Sequence, residues 1–318
     1  MIESIVIQVL ILISSLIALA WASHITIQSI EEAIEVTGLS EASAGFVILS
    51  VMTTLPEMTV AVFAVLQGTP GISIGDVLGS HIFNIGIAIG VLAVIGSLKA
   101  CCTDLLVELV DILFLASIIP LLLIVSRVTV VVPMLGSQLV GVVLLAIFGF
   151  SLYEMAKKKS PALADLVERS PRGRIRRKTV FSILFGAAIV VAASRLTVYS
   201  ASEIAYSLEI LPVLLGARIV AIGTSLPELA FGLTAVRRGR VHLALGDAIG
   251  ANLTTITLVL GFVLLVSPFA VDVAAFAEIL LFVLATNLVL WRYLVKGGVS
   301  QFGGVILILI YVFFQTVV

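Results

Sequence analysis

The 318-residue chain is 61% hydrophobic and 12% charged, with 18 Lys and Arg against 19 Asp and Glu and a mean hydropathy of +1.27. A soluble domain carries about 25% charged residues, so these values exclude a water-soluble globular fold and leave no room for a separate soluble domain. A membrane-spanning helix needs about 20 apolar residues, and stretches of that kind fill nearly the whole sequence.

Apolar runs between polar breaks predict five helices over residues 4–29, 43–67, 72–98, 104–126 and 132–156. A second five follow over 178–203, 212–236, 243–267, 272–292 and 301–317. The first run, Ile5 to Ile27, lacks a basic n-region and a small-residue cleavage site, so it is expected to stay as a helix. Cys101 and Cys102 are adjacent, which supplies no disulfide framework and suggests no metal site. Asp104, Glu108 and Asp111 form an i, i+4, i+7 stripe at the start of the fourth helix. Acids are favoured there, and a solvated face is the default reading beside a cation-attracting patch. Residues 157–178 form the one long hydrophilic segment and hold nine of the 18 basic residues. The positive-inside rule makes this linker cytoplasmic and, counting helices outward, puts both termini outside. Lys99, the Arg237-Arg238-Gly239-Arg240 turn, Arg292 and Lys296 then fall inside as the rule expects, whereas Arg127 falls outside.

Sliding the chain by 171 residues aligns 45–90 with 216–261 without a gap, with 14 identities over 46 positions. Chance matches in an apolar chain fall on Leu, Ile, Val and Ala; ten of these fall on Gly, Thr, Pro, acidic residues or the Leu between them. Thr53-Thr54-Leu55-Pro56-Glu57 meets Thr224-Ser225-Leu226-Pro227-Glu228, and Gly75-Asp76 with Gly79 meets Gly246-Asp247 with Gly250. Five helices per half force the second half to enter from the opposite side. The predicted fold is therefore an all-α integral membrane protein of ten transmembrane helices in two inverted-topology repeats, 1–156 and 179–318, around the linker. Inverted repeats are a transporter signature, with the site near the midplane where the halves meet.

The repeated motif carries the chemistry. Pro56 and Pro227 lack an N–H, which frees the carbonyls of Met52 and Gly223 and tends to kink the segment. Freed carbonyls inside a bilayer need protein, water or an ion. Thr53 and Glu57, like Thr224 and Glu228, are four apart and share a helical face. Each half thus offers a carboxylate, a hydroxyl and backbone carbonyls. These are hard oxygens; Ca²⁺ takes about 6–8 of them, and no Cys or paired His favours Zn²⁺ or Cu⁺. Buried unpaired carboxylates cost several kcal/mol, which one Ca²⁺, two Na⁺ or two protons would offset. An empty doubly anionic site resists closing, so crossing is coupled to a bound cation and the result is exchange. The structural reading pairs the glutamates with buried bases, of which Arg195 and Arg218 are the intramembrane candidates.

On these residues the sequence resembles the cation/calcium exchanger superfamily and, within it, the prokaryotic sodium/calcium exchangers. Ala221-Ile222-Gly223-Thr224-Ser225-Leu226-Pro227-Glu228 matches the first family motif in full. Ser50-Val51-Met52-Thr53-Thr54-Leu55-Pro56-Glu57 departs from it at Met52 and Thr54. Gly75-Asp76-Val77-Leu78-Gly79-Ser80-His81-Ile82-Phe83-Asn84 matches the second. The resemblance implies alternating-access antiport in which the first helix of each half slides against a rigid core, exporting Ca²⁺ for Na⁺. It implies as ligands Glu57, Glu228, Thr53, Thr54, Thr224, Ser225, Ser80 and Asn84, with backbone oxygens of Ser50 and Ala221; Thr53 and Thr224 would bind Ca²⁺ through their carbonyls and Ser80 a flanking Na⁺. In the second repeat Ala251 stands where Ser80 sits in the first, and Thr255 where Asn84 sits. These losses weaken the Na⁺ positions more than the Glu-centred one, so H⁺/Ca²⁺ antiport, or exchange of another divalent ion, stays open as the alternative.

Further readings complete the set. His81 is expected to pack behind the ligand shell, with a pH-sensing role as the alternative. Asp76 and Asp247 follow a Gly ahead of apolar runs, a place that N-capping explains, with an access-path ligand as the alternative. The partners expected are Ca²⁺, Na⁺ or H⁺, and the lipid bilayer of the cell membrane, with no nucleic acid and no cofactor. A monomer is the expected functional unit. A channel would need a continuous pore. An intramembrane enzyme would need an Asp pair, a Ser/His couple or a His-rich metal site, and His24, His81 and His242 lie scattered.

Overall fold

The computed structural model describes residues 2–37, 52–96, 98–99, 104–128, 133–157, 176–239, 241–267 and 271–318. The first half contains α1 (Ile2–Thr37), α2 (Leu55–Leu66), α3 (Pro70–Gly96), α4 (Asp104–Ile118), α5 (Leu121–Val128) and α6 (Pro133–Lys157). The second contains α7 (Arg177–Ser207), α8 (Pro212–Arg237), α9 (Val241–Val266), α10 (Val273–Val295) and α11 (Gln301–Val317). Among the described residues eight runs are long and apolar enough to cross a membrane, α4 with α5 counting as one, and α2 and α11 are shorter apolar helices. Eight and two make the ten crossings expected, five in each half. Most of the linker, 158–175, lies outside the described residues.

Several elements depart from the reading of the sequence. The fourth crossing is interrupted at Ile119-Pro120, because proline cannot donate to the turn before it; Ile119 N–H instead reaches back three residues to Ala116. The seam at Pro56 is likewise a break more than a kink. Helical geometry stops at Thr54, and α2 restarts with Pro56 in its first turn, where a missing N–H costs nothing. Pro227 by contrast lies inside the unbroken stretch Ala221–Arg237. Thr224 and Glu228 therefore share one continuous helix, whereas a break separates Thr53 from Glu57.

The arrangement follows the repeat. The spans of α3 and α9 are 78% buried and those of α1 and α7 only 22% and 28%, so the third helix of each half is central and the first is peripheral. Helices α1 and α7 run antiparallel: Thr197 donates to Ser15 at 2.9 Å and Thr179 to Glu32 at 3.1 Å, while Gly186 faces Thr26. The last helix of each half covers the third of the other, with Gly86 and Gly90 against α11 and Gly261 against Gly141 of α6. Between helices in lipid, small residues permit this close packing where burial of apolar surface gives no drive. Short strands β1 (Leu98–Lys99) and β2 (Gly298–Val299) pair antiparallel and tie the end of α3 to the α10–α11 turn.

The closest approach is at the centre. A Cβ on Gly75 would overlap the Val213 carbonyl, one on Gly79 the Ala217 carbonyl, and one on Gly216 the Ile72 carbonyl. Helix α3 thus crosses the start of α8 backbone to backbone, which brings the second motif of one half against the first motif of the other.

Candidate functional site

The crossing sets the positions of the site residues. Thr53, Thr54, Glu57, Ser80, Asn84, Thr224, Ser225 and Thr255 have no exposed surface, Ala221 has 1% and Glu228 2%. Ser50 lies outside the described residues. Glu57 from α2 and Glu228 from α8 lie within electrostatic range of each other, and Asp76 of α3 within range of both. Neither oxygen of either glutamate has a hydrogen-bond partner. The Thr224 hydroxyl sits beside Glu57, but its one proton goes to Asp76 Oδ1 at 2.8 Å.

The bases do not pair with the glutamates. Arg218 is half-buried and donates to the Gln315 carbonyl on α11, and Arg195 is exposed on α7, lining a cleft of about 1010 Å³ with Phe63, Gln67 and Tyr199. A second cleft of about 650 Å³ lies between Thr69, Ser202 and Pro212. The glutamates line neither of these clefts, and both side chains are buried.

Two features frame the centre that the sequence did not disclose. Asn84 opens a π-helical turn over Asn84–Ile89, and its counterpart Thr255 opens another over Thr255–Val259. Such wide turns recur at functional sites because they shift the backbone hydrogen-bond register. Asn252, the counterpart of His81, is the second. Its Oδ1 accepts from Asn84 Nδ2 at 3.0 Å and its Nδ2 donates to the His81 carbonyl at 3.2 Å. That bond fixes the Asn84 amide and leaves Asn84 Oδ1 unpartnered in the buried centre, as is the Ser225 hydroxyl. Thr255 donates to the Asn252 carbonyl at 3.1 Å. The repeat alignment that pairs 81 with 252 was the available signal for Asn252.

The remaining sequence candidates separate. His81 is buried and bonds through Nε2 to Asn287 of α10 at 2.8 Å, and Asn287 donates to Ser117 of α4 at 2.7 Å. Because Ser117 gives its proton to the Leu113 carbonyl, the Asn287 oxygen faces His81 and the ring donates from Nε2. The side chain is thus directed behind the shell. Asp111 is exposed and accepts from Trp291 at 2.7 Å; the Asp104 side chain lies outside the described set. N-capping fails for Asp76 and Asp247: each is the seventh residue of its helix, counted from Pro70 and Val241, and both are buried. The helices begin earlier because Pro70 is favoured in a first turn and residues 241–245 are apolar apart from His242. Among the described residues no three His, Cys, Asp or Glu side chains gather as ligands of one metal ion. A cation held here would be completed by hydroxyl, amide and carbonyl oxygens.

Two inverted five-helix halves closing over mirrored carboxylates define an inverted-repeat membrane antiporter. The chain belongs to the family described as sodium/calcium exchanger protein, whose pattern it matches over residues 7–156 and 178–318. It is 30% identical to the inner membrane protein YrbG of Escherichia coli over 269 residues, 80% of each chain. It is 29% identical to the sodium/calcium exchanger MaX1 of Methanosarcina acetivorans over 353 aligned positions, 98% of this chain and 99% of that one. The solved sodium-calcium exchanger NCX_Mj, soaked with 10 mM Na⁺ and zero Ca²⁺, superposes with a TM-score of 0.66 at 25% identity over 99% of both chains. An H⁺/Ca²⁺ exchanger, CAX, shares the fold with a TM-score of 0.76 at 19% identity, over 96% of this chain and 81% of that one.

Proposed function

We propose that the chain is a secondary active antiporter that exchanges Ca²⁺ for Na⁺ by alternating access, with the cargo ion held between Glu57 and Glu228. One observation carries this reading: two glutamates from mirrored motifs lie fully enclosed, near each other, with all four oxygens unbonded and the arginines elsewhere. Such an arrangement is costly in lipid unless a cation occupies it. Glu57 and Glu228 supply the charge; Thr53 and Thr224 the carbonyls; and Thr54, Ser225, Ser80, Asn84, Thr255 and the backbone of Ser50 and Ala221 the remaining oxygens. Relatives named as sodium/calcium exchangers support the pair of ions.

The alternative, H⁺/Ca²⁺ exchange, is favoured by one specific feature. Ala251 has no hydroxyl and Thr255 directs its own to a backbone carbonyl, so the second repeat offers fewer side-chain oxygens to Na⁺ than the first. Placement of the linker in the cytoplasm with both termini outside is supported by the shared end of Lys99 and Lys296, joined through β1 and β2, and of Val236 against Gly96.

Ca²⁺ uptake into proteoliposomes separates the two. Under an outward Na⁺ gradient at equal pH, uptake proceeds; under a pH gradient without Na⁺, it stays at the level of protein-free vesicles. Uptake driven by the pH gradient alone would replace Na⁺ by H⁺ as the coupling ion, and steady single-channel current would replace exchange altogether.

A further inference from the structure

Arg195 takes no part in the glutamate site, yet it stands on a helix face that lipid reaches. It is exposed on α7, whose span is only 28% buried, and among the described residues it has no hydrogen bond or ion pair. Two contacts set its depth. Ser194 meets Thr59 at 2.6 Å and Ser202 donates to Thr69 at 3.1 Å, so α7 runs beside α2 toward the α2–α3 turn. At 1.5 Å per residue, Arg195 lies about 10 Å short of the level of that turn. A guanidinium at this depth in a transmembrane helix is costly until an anion or water meets it.

The cleft of about 1010 Å³ around Arg195 has a direction. Ala188, Val191 and Ala192 form its inner, apolar stretch, and Gln67 and Tyr199 bring polar groups to the end nearer the turn; Arg195 is its one charged side chain. From Ala188 to Tyr199 is about 16 Å along the helix, close to the depth of one leaflet in a hydrocarbon layer about 30 Å thick. A groove that is apolar toward the bilayer centre and cationic toward the surface has the polarity of a phospholipid in that leaflet. Any lipid tail can fill the inner stretch, and Arg195 selects the headgroup that stands over it. Guanidinium binds phosphate through two parallel N–H bonds, and basic pockets between transmembrane helices hold anionic headgroups. A headgroup of net negative charge offers its phosphate uncompensated, whereas the ammonium of a zwitterionic one competes for it.

We infer that the cleft between α2 and α7 seats one anionic phospholipid, with its phosphate on Arg195 and an acyl chain along Ala188, Val191 and Ala192. The lipid bridges the helix that carries Glu57 and a helix of the peripheral α1–α7 pair.

The test uses the full chain, stripped of lipid in a nonionic detergent. Phosphatidylglycerol or phosphatidylcholine of matched chains is added, and bound lipids are counted by native mass spectrometry. The basic linker also attracts anionic lipid, so the reading is the difference that each variant makes, one lipid per chain. At that position the unaltered chain is expected to hold phosphatidylglycerol about tenfold more tightly than phosphatidylcholine, as one added charge-assisted bond does. Arg195→Gln should remove that preference, and Arg195→Lys, which keeps the charge without the fork, should lose less of it. Ala192→Leu fills the inner stretch, leaves the charge and should weaken both lipids alike. Both positions are exposed, so neither change disturbs the core. Unchanged phosphatidylglycerol binding in Arg195→Gln overturns the site. A loss in Arg195→Gln with none in Ala192→Leu also overturns it, since that would mark a bare surface charge. Displacement of the lipid by inorganic phosphate at equal concentration would assign Arg195 to a free anion instead. No transport is measured, so failure here leaves the exchange reading untouched.

Discussion

Glu57 and Glu228 occupy a place where lipid, not water, surrounds the helices, and neither receives a hydrogen bond. A carboxylate at the centre of a membrane helix costs about 2.5–3.5 kcal/mol even on conservative scales. Among the described residues no partner offsets that cost, so on the function proposed above the glutamates destabilise the empty protein and the cargo ion compensates them. Glu57→Gln and Glu228→Gln should each abolish Ca²⁺ uptake while raising the thermal midpoint of the Ca²⁺-free protein in detergent. Saturating Ca²⁺, at a hundred times its dissociation constant, stabilises a one-site protein by about 2.7 kcal/mol; that increment should appear in the unaltered chain and vanish in both variants. A Ca²⁺-dependent rise that survives in either would remove that glutamate from the site. The second repeat allows a gain as well as a loss. Ala251 is buried where the first repeat has Ser80, and Ala251→Ser would return a hydroxyl to the Asp247 side. Since one added neutral ligand contributes about 0.5–1.5 kcal/mol, Na⁺ half-saturation should fall by about two- to tenfold in the uptake assay. A value that rises would mean that the hydroxyl finds no ion there.

The α3–α8 crossing is the element on which these residues depend. Its contact is backbone on backbone, so Gly79→Ala places a methyl group into the Ala217 carbonyl and must separate the two helices. Overpacking of this kind costs about 1–3 kcal/mol, read as a lower thermal midpoint, and it parts Asp76 from Thr224, so uptake should fall further than stability does. Gly149→Ala on α6, with open space around its position, should leave the midpoint unchanged or slightly raised; a Gly79 variant that behaves like it would dismiss the close approach. Much of this element could be read in advance. Gly, Thr, Pro and Glu recur at a fixed offset of 171 because each half must make the same crossing, and that recurrence disclosed the repeat and its acids. The π-helical turns at Asn84 and Thr255 were hidden, since widening one turn shifts the hydrogen-bond register without changing which residues are apolar. Asp76 and Asp247 were misplaced because Gly-Asp before an apolar run looks like a helix start. The actual starts, at Pro70 and Val241, lie in stretches whose polarity gives no contrast. Only the neighbouring half explains why a mid-helix aspartate is tolerated there.

At the scale of the whole molecule, α1 and α7 form an antiparallel pair laid across the other eight crossings. Polar bonds inside the pair, Ser15 with Thr197 and Glu32 with Thr179, sit far apart along its length and hold it as one body. Against the rest, α7 makes the short Thr59–Ser194 contact of 2.6 Å and the Ser202–Thr69 bond of 3.1 Å. Apolar helix faces in lipid gain little from burial, so these few bonds are what a sliding motion must break and remake. Both glutamates belong to helices on the other side of that interface, α2 and α8. Movement of the pair would therefore open the centre to alternate faces without dismantling the cage. Paired cysteines distinguish the two interfaces in a chain carrying Cys101→Ser and Cys102→Ser. Side chains this close can reach the Cβ separation of about 3.8 Å that a disulfide needs. Ser15→Cys with Thr197→Cys, oxidised, should leave Na⁺-driven Ca²⁺ uptake intact, because the lock lies within the moving body. Thr59→Cys with Ser194→Cys, oxidised, should arrest uptake, with recovery on reduction. If both cross-links arrest transport the pair does not move as a unit, and if neither does, the motion lies elsewhere than between α7 and α2.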